Sequence, residues 1–262
     1  MVSVLGIPYD ANSSFLRGPA QAPAAIRQAF HSDSSNYFTE TGIDLKNHSG
    51  WKDVGNVSFV KEVSFFDAIR NSVVQATQHG EQLLALGGDH SITFPVVSAL
   101  AKSYPGLTIL HLDAHPDLYH NFEGNPYSHA SPFARIFENK LAHRLVQVGI
   151  RTMNQHQREQ AKRFGVEVIE MKDWNDSIRF DLPGPVYLSL DLDVIDPAFA
   201  PGVSHHEPGG FTTRQVIQLL QGLRAQLVGA DLVELNPTRD VNGVTAMVAA
   251  KLFKEMLGIF LK

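Results

Sequence analysis

The chain has 262 residues, 44% of them hydrophobic and 19% charged, with a formal net charge of −5 and no cysteine. That length buries a sizeable core in one α/β domain, and the scattered basic residues lack the concentrated positive face of a nucleic-acid binder, pointing instead to a small or cationic ligand. Without cysteine there is no disulfide framework, thiolate zinc site, iron–sulfur cluster or cysteine nucleophile, so any metal is held by histidine and carboxylate.

In chain order, the opening MVSVLGIPYD lacks the basic start and cleavage site of a signal peptide, and its apolar part predicts a strand over Val2 to Ile7. No apolar run anywhere approaches the ~20 residues of a membrane helix, so the expectation is a cytoplasmic enzyme without membrane contact. Ala11 to Gln21 reads as loop, AAIRQAF after Pro23 as helix, and Ser32 to Asn56 as irregular. DAIRNSVVQATQHG is helical with Asp67 near its start as a cap, and a strand over Gln82 to Leu86 leads to the helix SITFPVVSALAKSY, capped by Ser91. Further strands are expected over Leu107 to Leu112, Leu145 to Ile150, Val166 to Ile169, Val186 to Leu190 and Val228 to Val233. Tyr119 to Ser131 and Ala198 to Gly210 are loops, whereas TTRQVIQLLQGLRAQL, capped by Thr212, and the terminal VTAMVAAKLFKEMLGIFL carry helical spacing.

The strand runs are continuously apolar rather than alternating, as in strands covered on both faces. With no repeat or dividing linker, the expectation is one domain over residues 1–262, a three-layer α-β-α fold with a mostly parallel sheet. Ligands of such sheets bind outside the carboxyl ends of the strands. Four strand ends carry the chemistry here: LLALGGDHS reaches Asp89 and His90, TILHLDAHPD reaches Asp113, His115 and Asp117, VYLSLDLDVIDP reaches Asp191, Asp193 and Asp196, and GADLVELNP reaches Glu234. Carboxylates this close repel one another unless a cation offsets them, and residues two apart in an extended segment point the same way. A two-metal cluster explains the pattern. Its carboxylate-rich donor set favours Mn²⁺, with zinc, cobalt, nickel and iron open, and two such ions would generate a hydroxide at neutral pH.

GGDHS, DAHPDLY and SLDLDVIDPAFAPG resemble the signature motifs of the ureohydrolases, the arginases, agmatinases and their relatives that hydrolyse guanidino compounds to urea. GPAQAPAAIR, VGIR, FGVEVIEM, GADLVELNPTRD and TAMVAAKL extend the resemblance through most of the chain. It implies an arginase-like fold and two manganese ions per chain, one held by His90, Asp113, Asp117 and Asp191, the other by Asp113, His115, Asp191 and Asp193. It also implies that Glu234 pairs with the substrate guanidinium, that His129 in YSHASPF is the loop histidine relaying a proton to the leaving amine, and that the protein is a homotrimer or homohexamer. Asp117 would orient the attacking hydroxide. Asp196 is expected to fix its loop, His111 to be a core or supporting residue, and His31, His48, His79, His143 and His156 to lie at the surface. His205 and His206, in GVSHHEPGG, belong to a loop expected to reach the site.

The substrate tail is less legible. EGNPYSHAS differs from the SGNLHG-like segment with which animal-type arginases read an amino-acid head group, and with GVSHHEPGG it looks most like plant-type arginases, a branch near agmatinases. Agmatine, which would place the enzyme in polyamine synthesis, is the first expectation, with Glu123, Asn121 and Asn125 as acceptors for its terminal amine. L-Arginine is the second. Formiminoglutamate is the third, with Arg151 as the clamp for its carboxylates. A silent metal-binding scaffold is the alternative from another class, and Glu234 with a loop histidine speaks against it.

Overall fold

In the computed structural model, which describes residues 1–262, the elements run β1 (Val2–Gly6), α1 (Ala22–Phe30), β2 (Trp51–Asn56), α2 (Phe65–Ala76), β3 (Gln82–Leu86), α3 (Thr93–Leu100), β4 (Thr108–Leu112), α4 (Pro132–Glu138), β5 (Arg144–Ile150), α5 (Gln155–Phe164), β6 (Glu167–Glu170), β7 (Pro185–Asp191), α6 (Thr213–Gly222), β8 (Gln226–Val233) and α7 (Val244–Phe260). The strands form one sheet in the order β2-β1-β3-β8-β7-β4-β5-β6, and every adjacent pair is parallel.

Continuous apolar strands are what this architecture demands, because successive side chains go to opposite faces and both faces are covered. Leu84 and Leu86 of β3 join Leu110, Leu112, Leu188 and Leu190 in a core closed by α1, α6 and α7. Leu83 and Ala85 go the other way, with Ile109 and Tyr187, into a core closed by α2, α3, α4 and α5. Each such aliphatic side chain taken fully from water contributes ~1.5–3 kcal/mol, which places most of the sheet's stability in these two layers.

Several local features depart from the sequence reading. β2 lies in a stretch expected to be irregular. Beyond Trp51 it is exposed throughout and sits at the sheet edge, paired only with β1, so backbone hydrogen bonds define it and no apolar pattern marks it. α4 spans only seven residues, too short to show a period, and α5 carries a mostly polar sequence, QHQREQAKRF. Ser64 rather than Asp67 caps α2, its Oγ accepting from Asp67 N at 3.1 Å. Asp89 rather than Ser91 starts the segment leading into α3: its carboxylate accepts from Ser91 N at 3.1 Å and opens a short 3₁₀ turn over His90–Ile92. Thr212 does cap α6, in a reciprocal pair with Gln215.

The connection from β3 to β4 leaves two positions between them that β8 and β7 later fill. Strand order therefore reverses at the middle of the sheet, where a crevice opens at the carboxyl ends. The four strands that meet there are the four whose ends carry the His and Asp/Glu motifs.

Candidate metal centre

β3 leaves the sheet through Gly87 and Gly88, and the second of these is dictated by space: a Cβ on Gly88 would overlap the carbonyl oxygen of Tyr9. The chain then turns His90 inward, fully buried. After β4, His115 N donates to Asp113 Oδ1 at 2.6 Å and Ala114 N to Asp193 Oδ1 at 3.1 Å, so the DAHPD segment folds back on its own carboxylate and on that of the neighbouring strand. At the end of β7, Asp193 N donates to Asp191 Oδ1 at 2.8 Å. Asp117 and Glu234 adopt φ of 49° and 65°, the left-handed region that side chains other than glycine rarely occupy, and both do so where strand ends converge.

These turns bring the six expected ligands together. His90 Nδ1 faces Asp113 Oδ2 at 3.2 Å, Asp117 Oδ2 at 3.1 Å and Asp191 Oδ2 at 3.1 Å. All three oxygens are at ion-pair distance, yet none is aligned for a hydrogen bond, and Nδ1 has no hydrogen-bond partner although it is buried. Atoms ~2.1 Å from one small divalent ion and at right angles to each other lie ~3 Å apart, the spacing seen here. On the other side of Asp113, His115 Nδ1 lies 3.5 Å from Asp113 Oδ1 and 2.9 Å from Asp193 Oδ2. Asp113 thus turns one oxygen to each histidine, and the all-nitrogen-and-oxygen donor set fits divalent cations of the manganese type.

Buried partners behind the cluster fix the ring orientations. Ser189 Oγ donates to Asp231 Oδ1 at 2.7 Å, so it can only accept from His90 Nε2, 2.9 Å away. The His90 proton is thereby placed on Nε2 and its Nδ1 lone pair is directed at the three carboxylates. Tyr187 and Thr93 hydroxyls also donate to Asp231, at 2.6 and 2.7 Å. Gln147 Nε2 donates to His111 Nδ1 at 3.0 Å, leaving His111 Nε2–H to donate to Asp113 Oδ2 at 2.7 Å. His111 is therefore placed as the supporting residue the sequence suggested: its ring lies close to His90 and Asp113, but both of its nitrogens are already engaged. Asp231, Ser189 and Gln147 were missed, because inside apolar strands they look like isolated polar residues. Ser189 and Asp231 at least stand on strands that lead into the motifs, whereas Gln147 lies on β5, whose end carries none of them.

The electrostatics describe a site short of positive charge. Burial pushes Asp191 well above the usual carboxylate range, helped by Asp193 and Asp113. Burial and Asp113 push Asp193 up to about 6 against the pull of His115. Burial would lift Asp113 too, but the His111, His115 and His90 imidazoles hold it well below its ordinary value. His90, which burial alone would discharge, is instead raised well above its usual range by Asp113, Asp117 and Asp191. Protons or divalent cations satisfy such a cluster, and bare carboxylates do not.

Above the cluster lies a cavity of about 190 Å³ lined by Ser14, His115, Asp117, Tyr119, Phe122, His129, Ala130, Thr152, Gln157, Asp191, Asp193, His205 and Glu234. Glu234 Oε1 accepts from His90 N at 2.9 Å and from His129 Nδ1 at 2.8 Å, so the expected guanidinium partner and the expected loop histidine form one buried pair. The tail residues do not join them. Glu123, Asn121 and Asn125 are off the cavity wall: Glu123 and Gly124 form a two-residue turn with φ of 50° and 82°, Asn121 Oδ1 accepts from Gly124 N, and Asn125 is bonded to Asn12 and Tyr127. Arg151 is likewise unavailable as a clamp, since its guanidinium donates to the carbonyls of Glu207, Gly149, Val194 and Asp193. Asp196 fixes its loop as expected, accepting from Ala198, Gly209 and Gly210 N. Of the GVSHHEPGG pair, His205 lines the cavity, whereas His206 is exposed and bonded to the Pro201 carbonyl.

The family model for the arginase family matches residues 1–258. "Arginase 1, mitochondrial" of Arabidopsis thaliana is 51% identical over 273 positions, covering 97% of this chain and 79% of that protein. The solved structure of an arginase from Medicago truncatula superposes with a TM-score of 0.92 at 47% identity, over 97% of this chain and 86% of that one. An N(1)-aminopropylagmatine ureohydrolase of Thermus thermophilus is 36% identical, over 98% of this chain and 89% of that protein. The cytoplasmic expectation is corrected by these relatives, since both the Arabidopsis and the Medicago arginases are named mitochondrial. The features behind it bear on secretion and membrane insertion, and they do not separate one aqueous compartment from another. By its sequence over nearly its whole length, and by the fold that gathers the motifs at one crevice, the chain belongs to the arginase family.

Proposed function

We propose that this protein is an arginase that hydrolyses L-arginine to urea and L-ornithine. The observation that carries the substrate choice is the 51% identity to a plant arginase across 97% of the chain, against 36% to a ureohydrolase named for an agmatine derivative. The cavity supports it. Apart from the histidines, the carboxylates of the cluster and Glu234, its wall offers neutral groups such as Ser14, Tyr119, Thr152 and Gln157. That lining suits an overall neutral amino-acid head. It supplies no separate carboxylate for the terminal ammonium of agmatine, which would be left without a strong partner.

In this reading residues 1–262 work as one unit. His90, Asp113, Asp117 and Asp191 hold one manganese and Asp113, His115, Asp191 and Asp193 the other, and the protein is a trimer or hexamer as the family resemblance suggests. Two such cations supply the positive charge the cluster calls for and a water acidic enough to ionise near neutral pH. The remaining chemistry belongs to side chains of this chain. Glu234, whose Oε1 is already engaged by His129 and His90, meets the guanidinium through Oε2 in a charge-assisted hydrogen bond. Asp117 orients the attacking water, and His129 supplies the proton that the leaving amine needs. Burial would lower the His129 pKa, but the Glu234 carboxylate beside it raises it to about 9, which favours a ring that holds the proton to be donated.

The test is kcat/KM for urea release by manganese-loaded protein on L-arginine, agmatine and 4-guanidinobutanoate side by side. Arginine should be preferred at least tenfold. Preference for agmatine would return the assignment to polyamine synthesis, and urea from none of them would leave a metal-binding scaffold.

A further inference from the structure

His129 is held at both ring nitrogens. Nδ1 lies 2.8 Å from Glu234 Oε1, and Nε2 lies 2.8 Å from Ser14 Oγ. A carboxylate only accepts, so the Nδ1 proton stays on the ring in either charge state. The partner at Nε2 must therefore change roles, accepting from the imidazolium and donating to the neutral ring. A hydroxyl can do both. Ser14 also stands on the wall of the cavity, beside the imidazole it is bonded to.

Its position is built by the surrounding chain. The buried Asp89 carboxylate accepts from Asn12 N at 3.1 Å and from Ser13 Oγ at 3.2 Å, next to Ser14. Asp10 Oδ2 accepts from Gly18 N at 2.7 Å and Ala20 N at 3.2 Å, closing the same segment from outside. His129 N donates to Asn12 O at 3.1 Å, which ties the loop carrying the histidine to the loop carrying the serine. Asp89, next to His90 in the GGDH motif, thus has a task of its own: it anchors Ser14 rather than a metal.

We propose that Ser14 is a catalytic residue that carries the proton from His129 Nε2 to the amine leaving the guanidinium carbon, a role that rests on the arginase reading. The Nε2–H bond breaks as its proton moves to Ser14 Oγ, while the original Ser14 hydroxyl proton moves to the leaving nitrogen. The carbon–nitrogen bond breaks with its electron pair retained on that nitrogen. His129 is left neutral, accepting from the re-formed Ser14 hydroxyl, and recovers its proton from water. The net transfer is one proton from solvent to the amine.

Ser14→Ala and Ser14→Thr, manganese-loaded, are compared with wild type for urea release from L-arginine across neutral and alkaline pH, with bound metal counted in each. Ser14→Ala should lose about 100-fold in kcat with KM and metal content unchanged, as for loss of a proton-transfer group. Its alkaline limb should move to lower pH, because the imidazolium loses an acceptor, and Ser14→Thr should recover most of the rate. Wild-type kcat in Ser14→Ala, or a loss that threonine does not restore, or one that tracks lost metal, would overturn the role while leaving the arginase reading intact. A wild-type enzyme that forms no urea from arginine would overturn that reading, and this role with it.

Discussion

Ser189 shows how one hydroxyl can orient a buried histidine. Because it donates to Asp231, it can only accept from His90 Nε2, and the ligand lone pair is fixed at Nδ1. Ser189→Ala should weaken manganese binding about 10–100-fold, the usual consequence of losing the outer partner of a histidine ligand. Competition with a metal-buffering chelator measures this, and unchanged affinity would show that the ring needs no such support. The gathering of the expected ligands and Glu234 at one crevice was legible because histidine and acid at strand ends are conspicuous. Ser189, Asp231 and Ser14 were not, since a lone serine in VYLSLD or NSSF has no spacing that separates structure from function. Glu123 and Asn125 erred in the opposite direction: polar loop residues looked available for a substrate tail, yet backbone turns had already engaged them. The His129–Glu234 pair also sets a stability window. With its folded pKa raised from 6.5 to about 9, His129 contributes in full below about 6.5 for as long as Glu234 stays ionised, and its contribution fades as pH rises through about 9.

Among the elements, the turn after β3 sets the tightest constraint. Gly88 passes against the Tyr9 carbonyl, and the next residues supply Asp89 for the Ser14 segment and His90 for the cluster. Gly88→Ala should cost ~1–3 kcal/mol by overpacking, and should lower activity further by displacing the Tyr9 backbone that leads into the Ser14 loop. Urea-unfolding midpoints together with activity per folded molecule separate the two effects, and wild-type values for both would refute the close approach. The central strands were readable as continuous apolar runs, because two-sided burial writes itself into composition. Edge strand β2 and the polar α5 were not, since at the rim of the sheet backbone pairing and caps such as the Asn154–Gln157 box define the elements, and those leave little hydrophobic pattern.

At the scale of the whole molecule, strand order turns four motifs scattered from residue 89 to residue 234 into one site. A parallel α/β sheet could be inferred from the alternation of elements. The insertion of β8 and β7 between β3 and β4 could not, because non-local pairing leaves no mark on either partner's sequence. That insertion makes the motif-bearing strand ends neighbours, and it gathers His90, Asp113, Asp117, Asp191, His115 and Asp193 into one cluster in which Asp113 faces both histidines. The most direct test is anomalous X-ray diffraction from crystals of the manganese-loaded protein. Two peaks are expected, one beside His90 Nδ1 and one beside His115 Nδ1, with Asp113 between them. A single peak, or none at these nitrogens, would contradict a two-metal centre and the hydrolytic mechanism built on it.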